Sequence, residues 1–219
     1  MIAKRYDGYC DIPIDVFYEK SRRALLLLGT IEDSNVPKEL KIEARKNFVI
    51  NCVTALEVFL KDMIVILLYS NEEWFYEKVK KLQKLRDIKL NLLDACKMFN
   101  KRKVSLGELI VATYSFQNIA HIEEVFSALT GEKFLDKVGK VKVEDEEGKS
   151  FVLNEKCPDW RKKLEELLNL RHRFVHQVSF KERLGLKRLK NLFECLVSFV
   201  EATEQYLLEF ISCENGGVK

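Results

Sequence analysis

Three features of this chain predict an all-α fold. Glycine and proline are scarce, nine and three among 219 residues, while Leu, Lys and Glu dominate, a composition that favours long helices over a sheet protein rich in turns. Apolar residues recur at three- and four-residue steps over long stretches. They make up 47% of the chain, enough at this length to build a core without metal or disulfides.

The elements follow in order. Pro13 can open a helix through Val16, Phe17, Ala24, Leu25 and Leu28, which ends at Gly29 and the polar residues 32–35. Residues 1–36 therefore read as an N-terminal accessory segment, and 37–215 as the main helical domain. After Pro37 comes the strongest helical pattern, carried by Val49, Cys52, Val53, Leu56, Leu60, Met63, Ile64 and Leu67. A highly charged third helix is expected from Asn71 to about Phe99, with the basic residues 101–103 suiting its C-terminus. Ser105 and Glu108 form a capping box for a short helix through Tyr114, and another helix is expected from Asn118 to Leu129 before Gly131.

Residues 138–153 break this pattern. Lys140 and Lys142 alternate with Val141 and Val143, an acidic block fills 144–147, and Gly148 precedes Phe151, Val152 and Leu153. This segment is expected to be a short charged loop or hairpin inserted between helices. Pro158 and Asp159 then start a helix carrying Trp160, Leu164, Leu167, Leu168 and Leu170, and a last helix runs from about Glu182 to Ile211.

Charge is high and nearly balanced, 37 Lys plus Arg against 34 Asp plus Glu, for a net charge of +3. That permits a polyanion partner without demanding one. No signal-peptide core opens the chain and no run of about 18 uncharged apolar residues follows, so the expectation is a soluble, cytoplasmic protein without a membrane partner. The six cysteines are scattered with no C-x-x-C pair and sit mostly among apolar helical neighbours. They are expected to be reduced and mostly buried.

Two apparent motifs fail on chemistry. Gly148-Lys149-Ser150 resembles the end of a phosphate-binding loop, but Val143 stands where a glycine is required and the acidic block would repel phosphate. His172 and His176 have the spacing of a zinc protease helix, yet Arg173 occupies the place of the glutamate base, and no other Cys/His cluster completes a metal site. No metal and no cofactor is expected.

What remains is the run RHRFVH at 171–176, which holds two of the chain's three histidines. Leu164, Leu167, Leu168, Phe174, Val175 and Val178 define the apolar stripe of this helix, and Arg171 projects near its middle. A guanidinium does not lose its proton there, so it needs a carboxylate, a phosphate or a wet interface beside it. His172 and His176, one turn and about 40° apart, flank the stripe's edge. A fixed cation beside two groups that exchange protons near neutral pH suits phosphodiester chemistry on RNA. The spacing also leaves open a structural reading, with Arg171 paired to a helix carboxylate such as Glu57 and both histidines as ordinary edge residues.

Arg171, the polar His172 after it, and His176 resemble the R-x4-6-H motif of the HEPN superfamily. Residues 54–62 (TALEVFLKD) and 114–118 (YSFQN), with Ile122 and the segment from Phe126 to Gly131, resemble its RiboL-PSP-HEPN or MAE_28990-like branch. The resemblance spans roughly residues 40–210. It implies a helical bundle that dimerises and brings two motifs into one cleft. It also implies metal-independent RNA cleavage, often in prokaryotic toxin–antitoxin or antiviral defence systems, with an antitoxin or defence-system protein as a further partner. On this reading Arg171, His172 and His176 are catalytic, while His121, Lys140 and Cys157 gain no role. The first helix and the acidic hairpin have no counterpart in the pattern. RNA across a dimer needs further phosphate contacts, for which Arg173, Lys181, Arg183, Lys187 and Arg188 are the candidates. The alternatives are a non-catalytic RNA-binding or complex-forming subunit and a purely structural helical scaffold.

Overall fold

The computed structural model describes residues 12–82, 84, 110, 113–144, 148–176 and 184–216. Among them lie eight helices: α1 (Pro13–Asp33), α2 (Lys38–Ser70), α3 (Glu72–Val79), α4 (Ile119–Thr130), α5 (Phe134–Val138), α6 (Leu153–Lys156), α7 (Trp160–His176) and α8 (Leu186–Gly216). Strands β1 (Lys142–Glu144) and β2 (Ser150–Val152) form one small antiparallel hairpin between α5 and α6. The architecture is all-α with the expected hairpin insertion.

The 33-residue α2 is the axis of the bundle. Its buried residues, from Ala44 and Phe48 through Cys52, Leu56 and Leu60 to Leu68, recur in adjacent pairs on one broad face, while Asn51 and Thr54 on the opposite face are exposed. α1, α7 and α8 pack against it. The short connection 34–37 folds α1 back along α2, where Phe17, Ala24 and Leu28 enter the common core. Arg45 ties this corner together, gripping both carboxylate oxygens of Glu32 at 2.6 and 2.9 Å and donating to the carbonyl of Leu184 at 3.0 Å. The guanidinium holds the Glu32 carboxyl below the usual carboxylate range.

The third helix departs from expectation. It begins next to Asn71 as expected, with the Asn71 side chain as its cap, but it ends at Val79, and residues 80–82 tighten into a turn that buries Leu82. The N–H groups of Lys81 and Leu82 bond to the carbonyls of Lys78 and Val79, three residues back, which tightens the last turn and closes the helix. The remainder of that expected helix, and the Ser105–Glu108 capping box, fall outside the described residues, as does the expected start of the last helix at Glu182.

The hairpin is anchored rather than loose. Val143 pairs opposite Phe151 and is buried, with β1 packed on α8. Gly148, at φ 75°, sits in the connecting turn, a backbone role that accounts for this glycine without any phosphate. Behind the hairpin, the backbone N–H of Asn154 donates to the carbonyl of Gly139 at 3.0 Å, and its side-chain Oδ1 accepts from the indole N–H of Trp160 at 2.8 Å. Trp160 stacks on Phe199 of α8 and fixes where α7 begins.

Gly139 leaves the room for this arrangement: a Cβ there would lie 2.5 Å from Asn154 Oδ1. Gly139→Ala is expected to lower unfolding free energy by about 1–3 kcal/mol in urea denaturation. Gly29→Ala is the reference, because nothing lies within 4 Å of a Cβ at that helical position; it should leave stability unchanged or raise it by about 0.5–1 kcal/mol.

Candidate active site

α7 brings the motif to the surface at the end remote from Trp160. Leu164, Leu167, Leu168 and Leu170 are buried, Phe174 packs partly on the core, and Arg171 is half-buried. His172 and His176 are exposed on adjacent turns, their rings 4.7 Å apart and inclined at 48°. Val175, expected in the apolar stripe, is instead 43% exposed beside them. The helix turns its buried face through Leu170 and Phe174, which carries Val175 round to the histidine side; Val178 falls outside the described residues.

The Arg171 environment differs from both simple expectations. Its Nη1 donates to the side-chain carbonyl of Gln117, and the Gln117 amide nitrogen donates at 2.9 Å to Glu57 Oε2 on α2. Arginine only donates and a carboxylate only accepts, so the orientation of the Gln117 amide is determined from both sides. The carboxylate named from the sequence, Glu57, does serve Arg171, but through an intervening amide. The Arg171 Nε is buried and has no hydrogen-bond partner among the described residues.

Gln117 is held by a compact turn. Tyr114 is buried and its hydroxyl donates to Glu124 at 2.9 Å, while the Gln117 N–H meets Ser115 Oγ at 3.4 Å. Asn118 then caps α4, its side chain accepting from the Ala120 N–H at 2.8 Å. Between this turn and α7 opens a cleft of about 390 Å³, lined by Ser115, Gln117, Asn118, His121, Asn169 and His172 among others.

His121, given no role from the sequence, shares this cleft with His172. Its Nδ1 lies 2.9 Å from the carbonyl of Ser115 and its Nε2 lies 2.9 Å from Lys84 Nζ. A carbonyl only accepts and an ammonium only donates, so these contacts require a neutral ring with its proton on Nδ1. Its exchangeable sites are thereby occupied. The rings of His172 and His176 form no such bonds among the described residues and are open to a ligand. The signal for His121 was present in its position three residues after the Asn118 cap, which turns a side chain back toward the capping loop.

The basic positions divide. Arg188 Nε meets Glu166 Oε1 at 2.6 Å and clasps α8 to α7, so its charge is partly neutralised. Lys187 is exposed at the start of α8, Arg173 is half-buried at the end of α7, and Lys181 and Arg183 lie outside the described residues. Among the described residues no group of three His, Cys, Asp or Glu is placed to hold a metal ion, and no helix is long and apolar enough to cross a membrane.

Comparison with known proteins bears on the whole arrangement. The RiboL-PSP-HEPN family model matches residues 17–209, which takes in most of α1, the hairpin and the motif helix. No curated protein and no solved structure matches the chain. HEPN domains are generally ribonucleases, so the match points to an RNase-like or RNA-related function. With nearly its full length matched and its motif residues gathered at one end of a helical bundle, this chain belongs to the RiboL-PSP-HEPN family.

Proposed function

We propose that this protein is an endoribonuclease that needs no metal, with Arg171, His172 and His176 as its catalytic groups. The observation that carries the reading is the pairing of two unbonded, solvent-facing imidazoles with a guanidinium whose direction is set by Gln117. In the reaction, one imidazole takes the proton of a ribose 2′-OH as that oxygen attacks the adjacent phosphorus. The bond from phosphorus to the 5′-oxygen breaks, and the other imidazole gives that oxygen its proton. Arg171 lies against the phosphoryl oxygens as negative charge builds on them, its own charge left intact by the neutral Gln117 amide that orients it. The products are a 2′,3′-cyclic phosphate and a 5′-hydroxyl.

The active unit proposed is a homodimer. Val175 stands exposed beside the two exposed histidines on the outer face of α7. A second copy laid on this face would cover it and join two half-clefts into one groove. Lys187 and Arg173 are the phosphate-contacting candidates this reading retains, with Lys181 and Arg183 from the connecting segment. The biological role proposed is that of a toxin or defence effector held in check by a partner protein. A non-catalytic RNA-binding or complex-forming role is the second reading, and the tether of Arg171 to Glu57 through Gln117 is the observation that favours it.

RNA is expected to be cut in EDTA, with DNA left intact and the end groups above seen by mass spectrometry. His176→Ala should slow cleavage by about 10²-fold or more while the circular dichroism spectrum is retained. Unchanged rates in His176→Ala and Arg171→Ala, or Mg²⁺-dependent cleavage leaving a 5′-phosphate, would return the binding reading to first place.

Gln117→Leu keeps the bulk and removes both hydrogen bonds. It is expected to lower kcat by about 10-fold or more with little change in KM, because a misdirected guanidinium loses its fit to the transition state. Equal kcat in wild type and variant would place Arg171 outside the chemistry. Light scattering at micromolar concentration should give twice the chain mass, and Val175→Glu should shift it toward the monomer; a wild-type monomer would count against the shared groove.

A further inference from the structure

Away from this cleft, Cys157 and Cys195 come from segments 38 residues apart, yet their Sγ atoms meet at 2.6 Å. Cys157 lies between α6 and α7, Cys195 lies on α8, and both are buried. Lys163, one turn into α7, places its Nζ 3.4 Å from Cys157 Sγ. These contacts set the two sulfurs apart: Cys157 has the Lys163 ammonium as a hydrogen-bond partner on its sulfur, placed to stabilise negative charge that develops there during attack. Burial pushes the Cys195 thiol up, so it keeps its proton. Cys52 is buried with no such neighbour and Cys213 is exposed at the end of α8.

We propose that Cys157 and Cys195 form an oxidation site at which a hydroperoxide converts the thiol pair into an intramolecular disulfide. The Cys157 sulfur attacks one peroxide oxygen and the O–O bond breaks. This leaves a sulfenic acid on Cys157, while the departing oxide takes the proton that the thiol gave up. The Cys195 sulfur then attacks the Cys157 sulfur. The S–O bond breaks and water leaves with the Cys195 proton. In total two thiols and one hydrogen peroxide give one disulfide and two waters, with both electrons passing to the peroxide. The bond closes a loop that contains the whole of α7, so it staples the start of the motif helix to α8 without entering the cleft.

The test uses the full-length wild-type chain treated with hydrogen peroxide, then unfolded, alkylated and digested without reductant. A loss of two hydrogens and a single crosslinked peptide pair containing Cys157 and Cys195 are expected. The melting temperature should rise by on the order of 10 °C and return on adding dithiothreitol. Lys163→Gln should slow formation of the crosslink by about 10-fold; an unchanged rate would overturn the assignment of Cys157 as the attacking sulfur. Full alkylation of both cysteines after peroxide, crosslinks to Cys52 or Cys213 instead, or a sulfinic acid at Cys157 with no crosslink would overturn the site.

Discussion

A 33-residue helix with a broad apolar face has no stable position until other helices cover that face, and α2 imposes that condition on everything else. α1 folds back to cover one side, α7 and α8 cover the rest, and their amphipathic stripes have no better place to go. At the border of the covered face α2 carries Glu57. A half-buried carboxylate at that level must be satisfied, and the nearest donors come from a turn and from the end of α7. The polar chain Glu57, Gln117, Arg171 is therefore as much a consequence of packing as of chemistry. It threads charge from the central helix to the surface along a line of alternating acceptors and donors.

This arrangement explains why a structural and a catalytic reading of Arg171 do not exclude each other. The amide consumes one guanidinium N–H and leaves the group's charge intact, whereas a direct ion pair with Glu57 would have neutralised it. An intervening glutamine thus fixes direction while preserving attraction for an anion. The two histidines outside the relay keep their nitrogens uncommitted, and His121 inside the cleft shows the contrast: same residue type, same cleft, but both nitrogens engaged by Ser115 and Lys84.

Much of this was legible in the sequence because it is local. The period of α2, the capping of α3 and α4 by Asn71 and Asn118, the hairpin around Gly148 and the extent of α7 all rest on signals within a few residues. The two motif histidines could be placed on one face by helical geometry alone. What escaped depends on distant contacts. Gln117 meets partners 54 and 60 residues away, and its role has no trace in spacing. Val175 was assigned to the core from a helical wheel, but which side of a stripe is covered depends on the neighbour helices. The end of α3 at Val79 was missed because the apolar period continues past it, through Leu82.

The two ends of α7 are held very differently, and that gives the helix a mechanical character. Its start is held by Trp160, stacked on Phe199 and bonded to Asn154, while toward its far end Leu170 and Phe174 pack on the core and Arg171 joins the polar relay. From Trp160 to His176 the helix extends about 24 Å. A rigid rod of that length pivoting by ~5° at its anchored end carries its free end through roughly 2 Å, more than the difference between a hydrogen bond made and one lost. A shift at the anchored end would thus be felt at the motif, in addition to the local hold of Gln117 on Arg171. Geometry alone therefore gives substitutions around Gly139, Asn154 and Trp160 a lever arm on Arg171, His172 and His176 that no direct contact among these side chains spans.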